Sequence, residues 1–182
     1  MLIITASPRK NSNSTAAALF LAGLSGAKYG TVDVNRLKIH PCNACGKCSI
    51  AGDCVFYDGG ALLMEKVKKA RAVIVASPIY FTGVPAPLKA FIDRNQAVWS
   101  LYHAGKIKKA EKKDGIIVLT EGHSKPKYFK PAESEIRAFF AVNGIKTVAV
   151  VKLKNMDEAG TALKKSANRA KLKKAALLMG AK

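Results

Sequence analysis

Apolar and polar positions follow two rhythms that alternate along the chain. Short runs of strand length, several of them almost unbroken in apolar character, fall at Leu2–Ala6, Thr31–Asn35, Ala72–Ala76, Gly115–Thr120 and Lys146–Leu153. Between them lie longer stretches with helical patterning, approximately Ser14–Ser25, Gly60–Ala70, Pro87–Val98, Ala132–Asn143 and Asp157–Met179. The short runs predict strands covered on both faces, and the longer patterns predict helices. Pro87 and Pro131 stand where a helix begins, which suits their fixed φ. Gly144 follows the fourth helix as its C-terminal cap. In the last helix Leu163, Ala167, Ala170 and Ala175 are the expected buried stripe, and the lysines a solvated face.

Strands and helices in strict alternation predict an α/β fold, a parallel sheet with helices on both faces. Right-handed crossovers leave few topologies, and a five-stranded sheet of order 2-1-3-4-5 is the common one at this length. Residues 1–182 read as a single domain with a cysteine-rich insertion at about 40–58. Such sheets bind ligands beyond the C-terminal ends of their strands, at the switch point between strands 1 and 3. The chemistry is therefore expected in the loops Ser7–Asn13, Ser77–Ala86 and Glu121–Lys130.

Composition narrows the class. With 49% hydrophobic residues among 182, the chain can bury a core and does not read as disordered. No apolar run approaches the roughly 18 residues of a membrane span. The N-terminus reads as a strand rather than a secretory signal, so a cytoplasmic location is expected. The formal net charge is +19, with Lys far outnumbering Arg. An acidic partner, nucleic acid and plain solubility compete to explain it. Nucleic acid is the weakest functional explanation, because Arg is scarce and no dedicated binding motif is present.

The first loop, Ala6-Ser7-Pro8-Arg9-Lys10-Asn11-Ser12-Asn13-Ser14-Thr15, packs hydroxyls, amides and cations into one strand-to-helix turn. A helix N-terminus offers free N–H groups and a positive dipole end to an anion. Ser7, Ser12, Ser14 and Thr15 can donate to phosphate oxygens, Asn13 belongs to the same cradle, and Arg9 can neutralise charge. Simple capping of the helix by Asn13 or Ser14 is the plainer alternative, and the two are compatible. The second loop, Ser77-Pro78-Ile79-Tyr80-Phe81-Thr82-Gly83-Val84-Pro85-Ala86-Pro87, is stiffened by three prolines. One of Tyr80 and Phe81 can lie against a planar ring while the other packs inward. The alternative is a loop whose aromatics only seal the sheet.

Together these loops resemble the NADPH-dependent FMN reductase family of flavodoxin-like proteins. Ser7-Pro8-Arg9-Lys10-Asn11-Ser12-Asn13-Ser14, Ser77-Pro78-Ile79-Tyr80-Phe81 and Lys89-Ala90-Phe91-Ile92-Asp93-Arg94 carry the resemblance; Ala6 replaces the family's usual Gly. It implies a flavodoxin-like three-layer sandwich binding FMN, with the phosphate on the first loop and the isoalloxazine along Pro78, Ile79, Tyr80, Phe81 and Thr82. Thr120-Glu121-Gly122-His123 falls at the third flavin loop. There His123 would bond the pyrimidine edge, unless it is an ordinary exposed histidine.

All four cysteines lie in Cys42-Asn43-Ala44-Cys45-Gly46-Lys47-Cys48 and Cys54, spaced C-x2-C-x2-C-x5-C. A tight cluster in a reducing compartment points to metal rather than to a disulfide scaffold. Four compactly spaced thiolates suit an iron–sulfur cubane. Zinc, and idle or redox-active thiols, are the alternatives. The pattern resembles the iron–sulfur flavoprotein branch of the same family, which implies a [4Fe–4S] cluster on Cys42, Cys45, Cys48 and Cys54. The acidic pair that often follows that motif is reduced here to Asp58.

The expectation is a flavin-dependent oxidoreductase that relays electrons between the cluster and FMN. NAD(P)H or a small acidic carrier such as ferredoxin is its donor, and the resemblance implies a homodimer or homotetramer. A cluster-free NAD(P)H-dependent FMN or quinone reductase is the first alternative. A basic nucleic-acid-binding or scaffold protein that has lost the flavin is the second.

Overall fold

The computed structural model describes residues 1–107, 112–124 and 128–179. Five strands, β1 (Leu2–Thr5), β2 (Gly30–Asp33), β3 (Ala72–Pro78), β4 (Lys113–Thr120) and β5 (Ile145–Leu153), form one sheet of order β2-β1-β3-β4-β5. Every neighbouring pair is parallel. The helices are α1 (Asn13–Leu24), α2 (Lys47–Ala51), α3 (Gly59–Lys69), α4 (Ala86–Asp93), α5 (Gln96–His103), α6 (Phe129–Val142) and α7 (Ser166–Ala176). The flavodoxin-like α/β sandwich and the strand order agree with the expectation.

Successive strand side chains point to opposite faces, which splits the core in two. Ile3, Ile74, Ile116 and Val118 pack against Ala17, Leu21 and Ala22 of α1 and Leu172 of α7. Ile4, Val73, Val75, Ile117 and Leu119 pack against Leu63 of α3, Phe91 of α4 and Ile136, Phe139 and Phe140 of α6. The alanines of α1 bring that helix close to the sheet, and its N-terminus arrives directly over the end of β1.

Three elements differ from the pattern-based expectation. The span 87–98 is two helices, α4 and α5, broken at Arg94–Asn95. There the Asn95 amide donates to the carbonyls of Phe91 and Ile92 and ends α4 by competing for its last acceptors. The last helix begins at Ser166, not at Asp157, because backbone groups of Met156, Glu158 and Ala162 bond to the Asn13 side chain instead of to one another. Its buried side is Asn168, Leu172, Ala175 and Ala176, while Ala167 and Ala170 are exposed. The cysteine segment contains the additional short helix α2. No helix among the described residues is long and apolar enough to cross a membrane.

Candidate functional site

A cleft lies over the C-terminal ends of β1, β3 and β4, where the strand order reverses. Ser7, Arg9, Asn11, Ser12 and Asn13 line one wall, and Pro78, Ile79 and Tyr80 the other. Thr120, Gly122, Met156, Asp157 and Ala159 complete it. Its enclosed volume is about 70 Å³, enough for a phosphate-sized group but not for a whole flavin nucleotide.

Ser12 is the N-cap of α1: its Oγ accepts from the Thr15 N–H at 3.2 Å and lies 3.0 Å from Ser14 Oγ. Capping thus falls to Ser12 rather than to Asn13 or Ser14. The N–H groups ahead of Thr15 have no acceptor within the helix and remain at its positive end. Ser7, Ser12 and Ser14 are buried against this turn. The Arg9 guanidinium donates to the Asp157 carbonyl at 2.9 Å, which holds a cation at the cleft wall. These donors fit a phosphate group.

Asn13 has a different task from the one expected of it. Its Nδ2 donates to the carbonyls of Met156 at 3.1 Å and Glu158 at 2.7 Å, and its Oδ1 accepts from the Ala162 N–H at 2.9 Å. Gly160 N–H adds a bond to the Asn11 carbonyl. Residues 155–162 thus form a strap over the phosphate loop, fastened by Asn13. Asp157 and Ala159 fall within the helical pattern 157–179 and Met156 just before it, so nothing in the sequence marks them as cleft residues. The positive φ of Asn155 and Gly160 marks the real, irregular course of the strap.

In the second loop Tyr80 and Gly83 exchange backbone bonds across a two-residue turn. Its central residues, Phe81 and Thr82, have φ of +44° and +71°. Non-glycine residues adopt this geometry at a cost, and such strain gathers at functional loops. The turn holds the Phe81 side chain fully exposed, at 104%. Ser14, Thr15, Phe81, Thr82, Glu121 and His123 do not line the enclosed cleft. Thr15 sits half-buried behind it, and His123 is exposed. At Gly122 a Cβ would meet the exposed Asp157 carboxylate, with Cγ at 2.6 Å, so a larger residue there would push that side chain aside. Glu121, one residue earlier, is buried, and neither carboxylate oxygen has a hydrogen-bond partner among the described residues. Burial raises its pKa above the ordinary value, against the pull of His123 and Lys154. Residues 125–127 of this loop lie outside the described residues.

A second site is built on the cysteine segment. Cys42, Cys45, Cys48 and Cys54 all line one cavity of about 240 Å³ between residues 42–56 and α5. All four are free thiols; Cys42 and Cys45 are exposed, Cys48 and Cys54 half-buried. Ala44 and Gly46 at positive φ turn the chain into α2, which carries Cys48. Lys106 Nζ bonds the carbonyls of Ser49 and Ile50 at the other end of α2. Among the described residues no group of three or more Cys, His, Asp or Glu is placed to hold one metal ion. The thiols are thus not gathered into a formed metal site, and this arrangement supports neither zinc nor an iron–sulfur cluster. Four thiols around one roomy cavity are the donor set an iron–sulfur group uses. Arg94, whose partners are described below, joins them in the lining.

The chain is 39% identical over 95 residues to an iron–sulfur flavoprotein of Methanosarcina thermophila, covering 50% of each chain. It is 40% identical over 94 residues to one of Archaeoglobus fulgidus, covering 50% of this chain and 43% of that one. These matches thus span about half of this chain and about half the length of those relatives. Among solved structures it resembles azoreductase AzrA (TM-score 0.66, 13% identity, 96% of each chain). It also resembles an NAD(P)H:quinone oxidoreductase from Methanothermobacter marburgensis (TM-score 0.63, 20% identity, 96% of this chain and 92% of that one). At such identities these likenesses show the fold alone. The family model described as NADPH-dependent FMN reductase matches residues 1–145. With most of the chain under that match, and with the sheet, the phosphate-loop turn and the Pro78–Phe81 loop in place, the chain belongs to the NADPH-dependent FMN reductase family.

Proposed function

We propose that this protein binds FMN in the cleft at the β1–α1 and β3–α4 loops and acts as a flavin-dependent oxidoreductase. NAD(P)H is the donor and a small acceptor, such as a quinone or free flavin, takes the electrons. One observation carries the reading: the hydroxyl-rich N-terminus of α1 and the Pro78–Tyr80 loop face each other in a single cleft. FMN, when bound, supplies hydride acceptance and electron return. The protein's own groups bind and orient. Ser7, Ser12 and the open N–H groups of α1 hold the phosphate dianion, and Arg9, fixed by the Asp157 carbonyl, balances its charge. Tyr80 borders the cleft, and exposed Phe81 offers an apolar face beside the ring's place. The match to the family model described as NADPH-dependent FMN reductase supports NADPH as donor and flavin as acceptor.

The test is titration of the flavin-free protein with FMN and with riboflavin, then anaerobic mixing with NADPH in a stopped-flow instrument. FMN binds stoichiometrically and riboflavin far more weakly, and NADPH bleaches the bound flavin. Equal affinity for the two flavins removes the phosphate assignment. A flavin untouched by NADPH removes the donor.

A second reading rests on the four-thiol cavity and on the likeness to iron–sulfur flavoproteins. In it the thiols hold a [4Fe–4S] cluster, and the basic surface receives an acidic one-electron carrier such as ferredoxin. Anaerobic preparations then contain about four iron and four sulfide per chain, and Cys45→Ala loses the iron while keeping the FMN. Reduction by ferredoxin slows steeply between roughly 0.05 and 0.5 M salt as screening tightens. Iron-free anaerobic protein leaves the first reading alone.

A further inference from the structure

Arg94 stands at the break between α4 and α5 with its side chain only 4% exposed. Its Nη1 donates to the His40 carbonyl at 3.0 Å and to both Asp58 oxygens at 3.1 and 3.0 Å. Its Nη2 donates to the Phe56 carbonyl at 2.6 Å. The guanidinium carbon lies 5.3 Å from the Phe56 ring centroid, and His40 stacks on that ring at 3.9 Å. Asp58 also accepts from the His40 N–H at 2.7 Å and caps α3 through Gly60 N–H at 2.9 Å. One guanidinium therefore gathers residues 40, 56 and 58, the two ends of the segment that contains every cysteine. Its Nε is buried with no partner among the described residues. The same side chain lines the four-thiol cavity and is the only charged one among its described lining residues.

We propose that Arg94 is the positioning residue and counter-cation of the cysteine cavity: it clips the ends of the 40–58 segment together, and its charge lies beside an anionic metal–sulfur group held by the thiols. The clip follows from the bonds. Without it the loop is closed, among the described residues, only by the His40 N–H bond to Asp58, the His40–Phe56 stack and the Gly59 N–H bond to the Lys38 carbonyl, against its own entropy. Only a planar fork reaches one carboxylate and two carbonyls at once, so Lys is no substitute as a clip. The counter-charge follows from the lining, in which Arg94 is the one charged side chain among the described residues; Asp58, outside that lining, offsets part of the charge. Net charge and hydrogen bonds to sulfur set the potential of an iron–sulfur group, and a nearby cation favours the reduced, more negative state. This second half rests on the cluster reading above; the clip does not.

The experiment uses the full chain with FMN bound and compares wild type, Arg94→Gln and Arg94→Lys. In the metal-free form, alkylation of Cys48 and Cys54 by iodoacetamide is followed by peptide mass spectrometry. After anaerobic reconstitution with iron and sulfide, the midpoint potential is read by redox titration with EPR detection. Arg94→Gln alkylates at least tenfold faster with FMN content unchanged, and its potential falls by a tenfold shift in the reduction equilibrium, about 59 mV for one electron. Arg94→Lys alkylates as fast as Arg94→Gln but keeps a potential near wild type, a separation that a purely structural role does not produce. Unchanged alkylation in Arg94→Gln overturns the clip. Equal potentials in Gln and Lys variants overturn the counter-cation. Wild type that takes up no iron overturns the cluster reading and the counter-cation with it, while the alkylation rates still decide the clip. Should Arg94→Gln lose its FMN, Asp58→Asn, which leaves the guanidinium in place and weakens its carboxylate bonds, is read by the same alkylation and must also accelerate it.

Discussion

Replacing Asn13 by Ala separates a strap fastener from a phosphate ligand. The substitution removes three hydrogen bonds, to Met156 O, Glu158 O and Ala162 N. Glu158 is exposed, and water can take over its carbonyl. Met156 and Ala162 are 5% and 1% exposed, so one carbonyl and one N–H are left buried without partners. At about 1–3 kcal/mol for each stranded group, the flavin-free protein loses about 2–6 kcal/mol. For a chain of this size the midpoint temperature then falls by roughly 5–20 °C. Urea unfolding without FMN, followed by far-UV circular dichroism, measures the loss directly. Asn13→Asp is as damaging or worse, since it keeps the acceptor for Ala162 N–H but turns an oxygen toward two carbonyls. If Asn13→Ala unfolds at the wild-type urea concentration and only its FMN affinity drops, the strap contributes no stability and Asn13 is a direct phosphate ligand after all.

Three further outcomes follow from the same geometry. Gly115→Ala places a methyl against Ile145 Cγ2 and within 2.5 Å of Phe140 Cε2 in the core, and should cost about 1–3 kcal/mol by overpacking; an unchanged thermal midpoint would contradict it. Burial raises the Glu121 pKa, so its favourable share of stability is complete below the ordinary glutamate value and is lost as pH climbs through the raised one. Glu121→Gln should therefore match wild type near pH 4 and exceed it increasingly toward pH 8; a difference constant across that range shows that burial does not govern this carboxyl. Phe81→Gly relieves a positive φ at a fully exposed side chain, so flavin-free stability holds or rises by up to about 1 kcal/mol while FMN affinity falls. A marked loss of stability would mean that Phe81 packs in the folded state.

The sheet was legible because its signal is repeated. Ile3, Ile74 and Ile116 recur on one face and Ile4, Val75 and Ile117 on the other, and each strand reports independently on a core that both helix layers cover. The phosphate loop was legible in composition but not in role. Ser12, Asn13 and Ser14 are chemically alike as donors near a helix start. Which of them caps, which fastens the strap and which faces a ligand depends on residues about 145 positions away in sequence, such as Met156 and Glu158. The strap was misread for the same reason. Asp157–Met179 has helix-forming composition, yet three tertiary bonds to one buried amide outweigh the weak helix propensity of a single turn. Glu121 was chosen for its loop, and nothing in the local sequence marks its carboxylate as buried without a partner.

The missed break at Arg94–Asn95 bears on how the cysteine segment is accommodated. Apolar periodicity continues across it, so the helical pattern from Pro87 to Val98 reads as unbroken. Two polar residues inside that pattern are nevertheless buried, at 5% and 4% exposure, and each is used on a different side. The Asn95 amide holds the end of α4, and its oxygen accepts from Asn143 Nδ2 at 2.7 Å on the α6 side. Arg94, one residue earlier, turns to the 40–58 segment. The break redirects α5, so that Gln96, Ala97 and Ser100 become a wall of the four-thiol cavity. None of the residues lining that cavity also lines the phosphate cleft. The 40–58 segment is thus held by Arg94, by the Lys106 bonds to Ser49 and Ile50 and by the Asp58 cap of α3, none of which involves the β1 and β3 loops. A cysteine site built this way can be altered or lost without disturbing the flavin cleft, because no side chain is asked to serve both.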